Sequence, residues 1–247
     1  MKPSRFFTLL AVVLTCASSC LHAQKCSAAP AAEPSLTDEA KRTEEKHSKP
    51  IIEALKLNDA GKEAKVREIF GTYFKALNEW HAQNDAQIKA LWNEFNDARS
   101  KLNETNATAA LAKIDGVYGS FKPQHGKFLS ELSTVLAPAQ VETVEDVLTV
   151  NKVEVTFNAY GEIFHGLKDE QKAFILKNLK AAREEAIDAG TMTEKSAFFK
   201  KYKIKIEAYL TAQGYDVKES YRVFVAKQKA DEAAKKAAAA PAVNEKK

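Results

Sequence analysis

The chain has 247 residues, 45% of them apolar and 28% charged, which excludes wholesale disorder and supports one ordinary core or two small ones. Lysine plus arginine exceed aspartate plus glutamate by 37 − 33 = 4, too little for a strongly basic nucleic-acid footprint. Nine glycines and seven prolines are few for this length and disfavour a loop-rich all-β protein.

The first element is a basic head, Met1-Lys2-Pro3-Ser4-Arg5, followed by an apolar run from Phe6 to Thr15. That run suits a signal peptide and is too short to span a bilayer. Leu21-His22-Ala23 places a small residue before the cut, so residues 1–23 are expected to be removed before Gln24. The rival is lipoprotein anchoring at Cys20 after Ala17-Ser18-Ser19, weakened by the missing Leu at −3. Either route makes the protein exported, periplasmic or secreted. Preferred cleavage leaves Cys26 as the one mature thiol, which excludes an internal disulfide and a paired-cysteine zinc site. No later apolar run reaches about 18 residues, so no membrane span is expected.

Residues 24–46 are rich in Ala, Pro, Ser and Glu and read as a disordered tether. Residues 47–227 read as a helical domain. Val66, Phe70, Tyr73, Leu77 and Trp80 recur at four- and three-residue steps, and the stripe resumes at Ile88, Leu91, Phe95 and Leu102. This is one long amphipathic helix, or two joined near residues 81–87. Asn103-Glu104-Thr105 and Asn106-Ala107-Thr108 read as a loop. A further helix is expected over Phe121–Leu136, with Phe128, Leu132 and Val135 on one side. Pro138 and Gln140 then open another. Val150, Val153, Phe157, Tyr160 and Phe164 step as a helix, although Val153, Val155 and Phe157 also alternate as in a strand. Asp169 and Glu170 mark a first turn, and Gly190 offers a left-handed end. Thr191 and Glu194 form a capping box for a helix carrying Phe199, Tyr202, Ile206 and Tyr209. Gly214 ends that helix and Asp216 caps the last one. The Lys- and Ala-rich residues 228–247 form a low-complexity tail. The expectation is an all-α antiparallel bundle of about six to eight helices.

The Leu-x-x-x-Gln frames at Leu136 and Leu167, with a weaker relative at Leu57, are similar to the Leu-Thr-x-x-Gln motif of small periplasmic chaperones of the Spy and CpxP type. Each match covers about five residues and lacks the Thr. A longer resemblance runs over about residues 47–225. Val66-Arg67-Glu68-Ile69, Tyr73, Ala76-Leu77-Asn78, His81 and Asp85 make one block. Leu167, Glu170-Gln171-Lys172, Ala182-Arg183-Glu184, Ala186, Asp188-Ala189, Glu194-Lys195, Phe199, Tyr202-Lys203, Ile206, Tyr209-Leu210 and Gln213-Gly214-Tyr215-Asp216 make the second. These blocks resemble the domain-of-unknown-function 3826 family of exported bacterial helical proteins. The resemblance implies a helical fold, a signal peptide and an association with sugar binding, and it supplies no catalytic residues. Trp80 stands where the family usually has an aliphatic residue, and Asn84 where it has Arg.

Candidate chemistry centres on Asn78, Trp80, His81 and Asp85. His81 and Asp85 are four apart and share a helix face, with Asn78 one turn earlier. An exposed polar face is the commoner role for such a trio; a hydroxylated ligand is the functional alternative. A metal would need further ligands from another helix. Trp80 suits stacking on a sugar but also falls on the core stripe. Arg183, with Glu184, Asp188 and Lys203, reads as an ion network between helices. Tyr215 and Asp216 complete the candidate ligand-binding set. His125 and His165 each stand alone. No nucleophile elbow, phosphate loop, dinucleotide fingerprint or paired-histidine motif is present, so no catalytic residue, metal or cofactor is assigned. The expected function is non-catalytic binding with carbohydrate as the leading ligand. A chaperone-like protein for unfolded clients is the alternative, and a hydrolase without a motif is third.

Overall fold

The computed structural model describes residues 48–239. The expected signal peptide, the tether and residues 240–247 of the tail lie outside the described residues. Nine helices and no strand occur among them. They are α1 (residues 48–55), α2 (Ala60–Ser100), α3 (Glu104–Gly119), α4 (Lys122–Ser133), α5 (Pro138–Leu148), α6 (Lys152–Ile163), α7 (Asp169–Ile187), α8 (Met192–Ala212) and α9 (Val217–Ala239). The protein is an all-α bundle, and no described helix is long and apolar enough to cross a membrane.

Local chemistry starts these helices where the sequence indicates. The Asp59 carboxylate accepts from the Gly61 and Lys62 amides at 2.9 and 3.0 Å and opens α2. Gln140 accepts from the Ala137 amide at 3.0 Å, and Gln171 accepts from the Lys168 amide at 2.9 Å. Thr191 accepts from the Glu194 amide at 3.2 Å while Glu194 accepts from the Thr191 amide at 3.1 Å. Each such cap contributes about 1 kcal/mol by satisfying an amide that has no partner within the helix. Gly214 ends α8 at φ +91°, a conformation costly for any residue with a Cβ. α9 continues through the first part of the Lys/Ala-rich segment.

α2 is the organising element. Its 41 residues extend about 60 Å, at about 1.5 Å per residue, and serve two cores. Val66, Phe70, Tyr73 and Leu77 pack with Ile51, Phe128, Leu132 and Val144 in the first. Ile88, Leu91, Trp92 and Phe95 pack with Ile114, Tyr160, Ile175, Leu179, Phe198 and Ile206 in the second. Trp80 packs against both clusters, and its indole N–H donates to the Ser120 hydroxyl at 2.9 Å.

One open choice is settled and four expectations are corrected. The polar stretch at residues 78–85 interrupts the apolar stripe but not the helix: α2 runs straight through it, because His81 occupies the stripe position and is itself buried. Leu102 is not on the stripe. It follows the end of α2 at φ +55° and is 83% exposed. The Asn-rich segment is a cap, not a loop: Asn103 accepts from the Asn106 amide at 3.0 Å and starts α3. Gly190 is not the left-handed end of α7. That helix closes on Asp188 in right-handed geometry, and the Lys195 ammonium caps the Ala186 and Ile187 carbonyls at 3.0 and 3.2 Å. The run from Val150 is a helix, as its longer period indicates, but Val150 itself sits in the α5–α6 turn at φ +51° and is half-exposed.

Candidate functional site

Two polar clusters lie along α7. The first surrounds Arg183, which is only 3% exposed. Its guanidinium pairs closely with Glu145 and reaches Asp146 at 2.7 Å and Glu142 at 3.9 Å, all on α5. Lys180 also pairs with Glu142, at 2.5 Å. Burial, and then the nearby Glu184 carboxylate, raise Glu145 above the usual carboxylate range. Glu184 goes the other way, held low first by its hydrogen bond with His125. A cavity of about 470 Å³ lies above these groups, with Leu136, Pro138 and Val141 as its apolar edge.

His125 links this cluster to the next. Nδ1 donates to Asp188 Oδ1 at 2.9 Å and Nε2 faces Glu184 Oε2 at 3.3 Å. Burial disfavours the imidazolium, but the hydrogen bonds to Asp188 and Glu184 outweigh it and hold His125 up at about 10. The Tyr73 hydroxyl donates to the same Asp188 oxygen at 2.7 Å. Burial, then the Asp188 carboxylate, push this phenol well above its ordinary value. Asp188 thus ties α2 and α4 to the end of α7.

The second cluster begins on the Asp188 backbone. The Asp188 carbonyl accepts from His81 Nε2 at 2.8 Å, and His81 Nδ1 meets Asp85 Oδ1 at 2.6 Å. His81 is buried while Asp85 is 64% exposed. The imidazole fits only because residue 190 is glycine: a Cβ there would lie 2.9 Å from His81 Cε1 and 3.0 Å from Nδ1. Beside this pair opens a cavity of about 740 Å³. Asn78, His81, Asp85, Asn151, Thr191 and Lys195 supply its polar groups, and Ile51, Phe74, Leu77, Leu148, Val150 and Met192 its apolar ones. Val150 and Met192 are half-exposed at the mouth. Burial lowers Lys195 to about 8, against the opposing influence of the Asp188 and Glu194 carboxylates.

The candidate residues therefore fall into separate places. Asn78, His81 and Asp85 share the larger cavity. Trp80 does not line it: the ring packs against Tyr118 and Phe121 at 5.2 and 5.4 Å between centroids, and core packing accounts for it. Arg183 lines the smaller cavity, paired with acids of α5 rather than with Asp188 or Lys203. Lys203 instead pairs with Glu207 at 3.6 Å and lies over Tyr221. Tyr215 donates to Gln171 at 3.1 Å and packs edge-on against Phe164, and Asp216 caps α9 through the Glu219 amide at 2.9 Å. Both have structural partners at the α8–α9 corner. Among the described residues, no three His, Cys, Asp or Glu side chains converge as a metal set.

Lys195, Thr191 and Asn151 were not legible as site residues, since capping and turn chemistry account for their positions in the sequence. His125 and Glu145 come from helices distant in sequence and carry no spacing signal. Glu184 and Asp188, four apart on one face of α7, were the available clue to a polar seam.

An all-helical bundle with a mixed polar and apolar cavity, and with no metal set among the described residues, defines a class of protein rather than a reaction. A family described as "Protein of unknown function (DUF3826)" matches residues 41–230, and the chain belongs to that family. No curated protein matches the chain.

Proposed function

We propose that this chain is an exported, non-catalytic binding protein and that the 740 Å³ cavity takes a short carbohydrate. One observation carries the reading. The cavity joins Asn78, His81 and Asp85 of α2 to the α8 cap residue Thr191, Lys195 of α8 and Asn151 of the α5–α6 turn, and Ile51, Phe74, Leu77 and Leu148 supply an apolar wall. Its size is typical of a small-ligand site. Sugar hydroxyls both donate and accept, so they suit a mixture of amide, carboxylate, hydroxyl and ammonium groups. The C–H-rich face of a sugar suits the apolar wall, a role in which Trp80 takes no part.

Calorimetric titration with a panel of mono- and oligosaccharides tests this. A saturable heat that weakens in Asn78→Ala and Asp85→Asn is the expected result. A flat titration across the panel, with suppression of light scattering from an aggregating client protein, would replace the sugar with an unfolded polypeptide. The half-exposed Val150 and Met192 at the mouth are the feature that would serve such a client.

A further inference from the structure

Lys195 is held unusually for a lysine. It lies in the first turns of α8, lines the larger cavity, and donates two hydrogen bonds backwards to Ala186 and Ile187, the last carbonyls of α7. Both partners are acceptors only, so both positions must be N–H whatever the charge of the amine. Cε takes a third position on the nitrogen. The fourth has no hydrogen-bond or ion-pair partner among the described residues. In the ammonium it is an N–H, and in the neutral amine it is the lone pair, because the two carbonyls keep the two remaining protons. The protein thus fixes the orientation of the lone pair before any ligand arrives. Burial acts in the same direction by favouring the neutral form, which brings Lys195 to about 8, while Asp188 and Glu194 oppose it. A desolvated lysine oriented beside a cavity is the usual arrangement for attack on a carbonyl.

We propose that Lys195 captures the open-chain aldehyde of a small aldose in this cavity as a reversible Schiff base. The inference rests on the carbohydrate reading of the same cavity and adds a covalent step to it. The Nζ lone pair attacks the aldehyde carbon, forming a C–N bond as the carbonyl π pair moves to oxygen. One proton passes from nitrogen to that oxygen and gives a carbinolamine. The carbinolamine then loses water: the C–O bond breaks, a C=N bond forms, and the nitrogen loses its second proton in the departing water. One amine and one aldehyde become one imine and one water, with no change of oxidation state. Protonation of the imine by solvent restores a single N–H, which serves one of the Ala186 and Ile187 carbonyls. Hydrolysis reverses every step.

The test incubates the full chain with D-glyceraldehyde and cyanoborohydride at pH 8, then maps the alkylated lysines by peptide mass spectrometry. Lys195 should label at least about tenfold faster than exposed lysines such as Lys62, Lys89 and Lys205, because it holds far more neutral amine at that pH than an ordinary lysine does. Lys195→Arg, which keeps donors for the two carbonyls, should abolish the fast labelling and leave the other sites unchanged. Labelling of Lys195 no faster than the exposed lysines overturns the capture. A methyl glycoside cannot open to an aldehyde, so it separates the two readings. If it binds by calorimetry while Lys195 labels slowly, the covalent step fails and the sugar site stands. If Lys195 labels fast while methyl glycosides never bind, the capture stands and the non-covalent sugar reading fails.

Discussion

Arg183 and His81 both lie buried in polar seams of this bundle, but their surroundings differ in how much hydrogen-bonding capacity the protein itself uses. Around Arg183, four acids and two other cations are arranged so that each charge meets an opposite one, and the cluster stitches α5 to α7. Around His81, the Asn78 side chain makes no hydrogen bond among the described residues, Asp85 is largely exposed, and Lys195 keeps one position free. A network of buried ion pairs holds helices together, even with the Arg183 Nε left without a partner. A partly used one beside a cavity is available to a ligand. That contrast sets a structural network against the proposed binding site, although the smaller cavity lies directly above Arg183.

The sharpest way to break the comparison is Arg183→Met. It strands Glu145 and Asp146 without their cation and should cost about 3–5 kcal/mol in urea unfolding, the range for opening a buried ion pair from one side. Sugar affinity of the folded fraction should hold; a selective loss of affinity would move the site to the smaller cavity.

Gly190→Ala comes next. The added methyl meets the His81 ring at 2.9 Å, which should cost about 1–3 kcal/mol of overpacking and also weaken ligand binding. In the His81→Ala background the same change should cost markedly less, because the clash has gone. Equal costs in both backgrounds would show that the two residues are not coupled. His81→Ala alone should lower the melting temperature, since a buried ring bonded to the Asp188 carbonyl is lost.

The third expectation concerns pH. His125 holds its proton to about 10 in the folded state against 6.5 for an unperturbed imidazole. Its contribution is fully present below pH 6.5 and is lost as pH rises towards 10. Lys195, lowered from 10.5 to about 8, acts in the opposite sense above pH 8. Between pH 6.5 and 8 stability should therefore fall by about 1 kcal/mol per pH unit, somewhat under the full linkage limit because His125 is not wholly enclosed. His125→Gln should flatten that slope in chemical denaturation across the window.

Tyr73→Phe removes one hydrogen bond to Asp188 and should cost about 1–2 kcal/mol with no effect on sugar titration. The smallest stability effect belongs to Asp85→Asn. With the carboxylate 64% exposed, the unfolding midpoint should move within about 0.5 kcal/mol, while sugar affinity falls by about 1 kcal/mol. A large stability loss without a binding change would place Asp85 with the structural network instead.

Much of the fold was legible because its causes are local. Pro138 with Gln140, Thr191 with Glu194, and Asp216 act within one turn, so the chain near each of them contains the whole interaction. The same locality explains the errors. Gly190 has the composition of a helix end, but its small size is needed by a side chain more than a hundred residues earlier. The choice between one helix and two across residues 81–87 stays open in the sequence because nothing nearby shows that His81 finds its partner at Asp188.

The sequence by itself determined an all-α chain, the positions of most helix starts, the apolar stripes of α2, and membership of a helical family, because periodicity and capping are short-range properties of the backbone. It also singled out Asn78, His81 and Asp85, whose spacing puts them on one face of one helix. Only the tertiary structure decided that Trp80, Tyr215 and Asp216 belong to packing and capping, that Arg183 pairs with α5, and that Lys195 completes a cavity with His81. Those outcomes depend on which helices meet, and that is set by burial summed over the whole bundle rather than by any spacing along the chain.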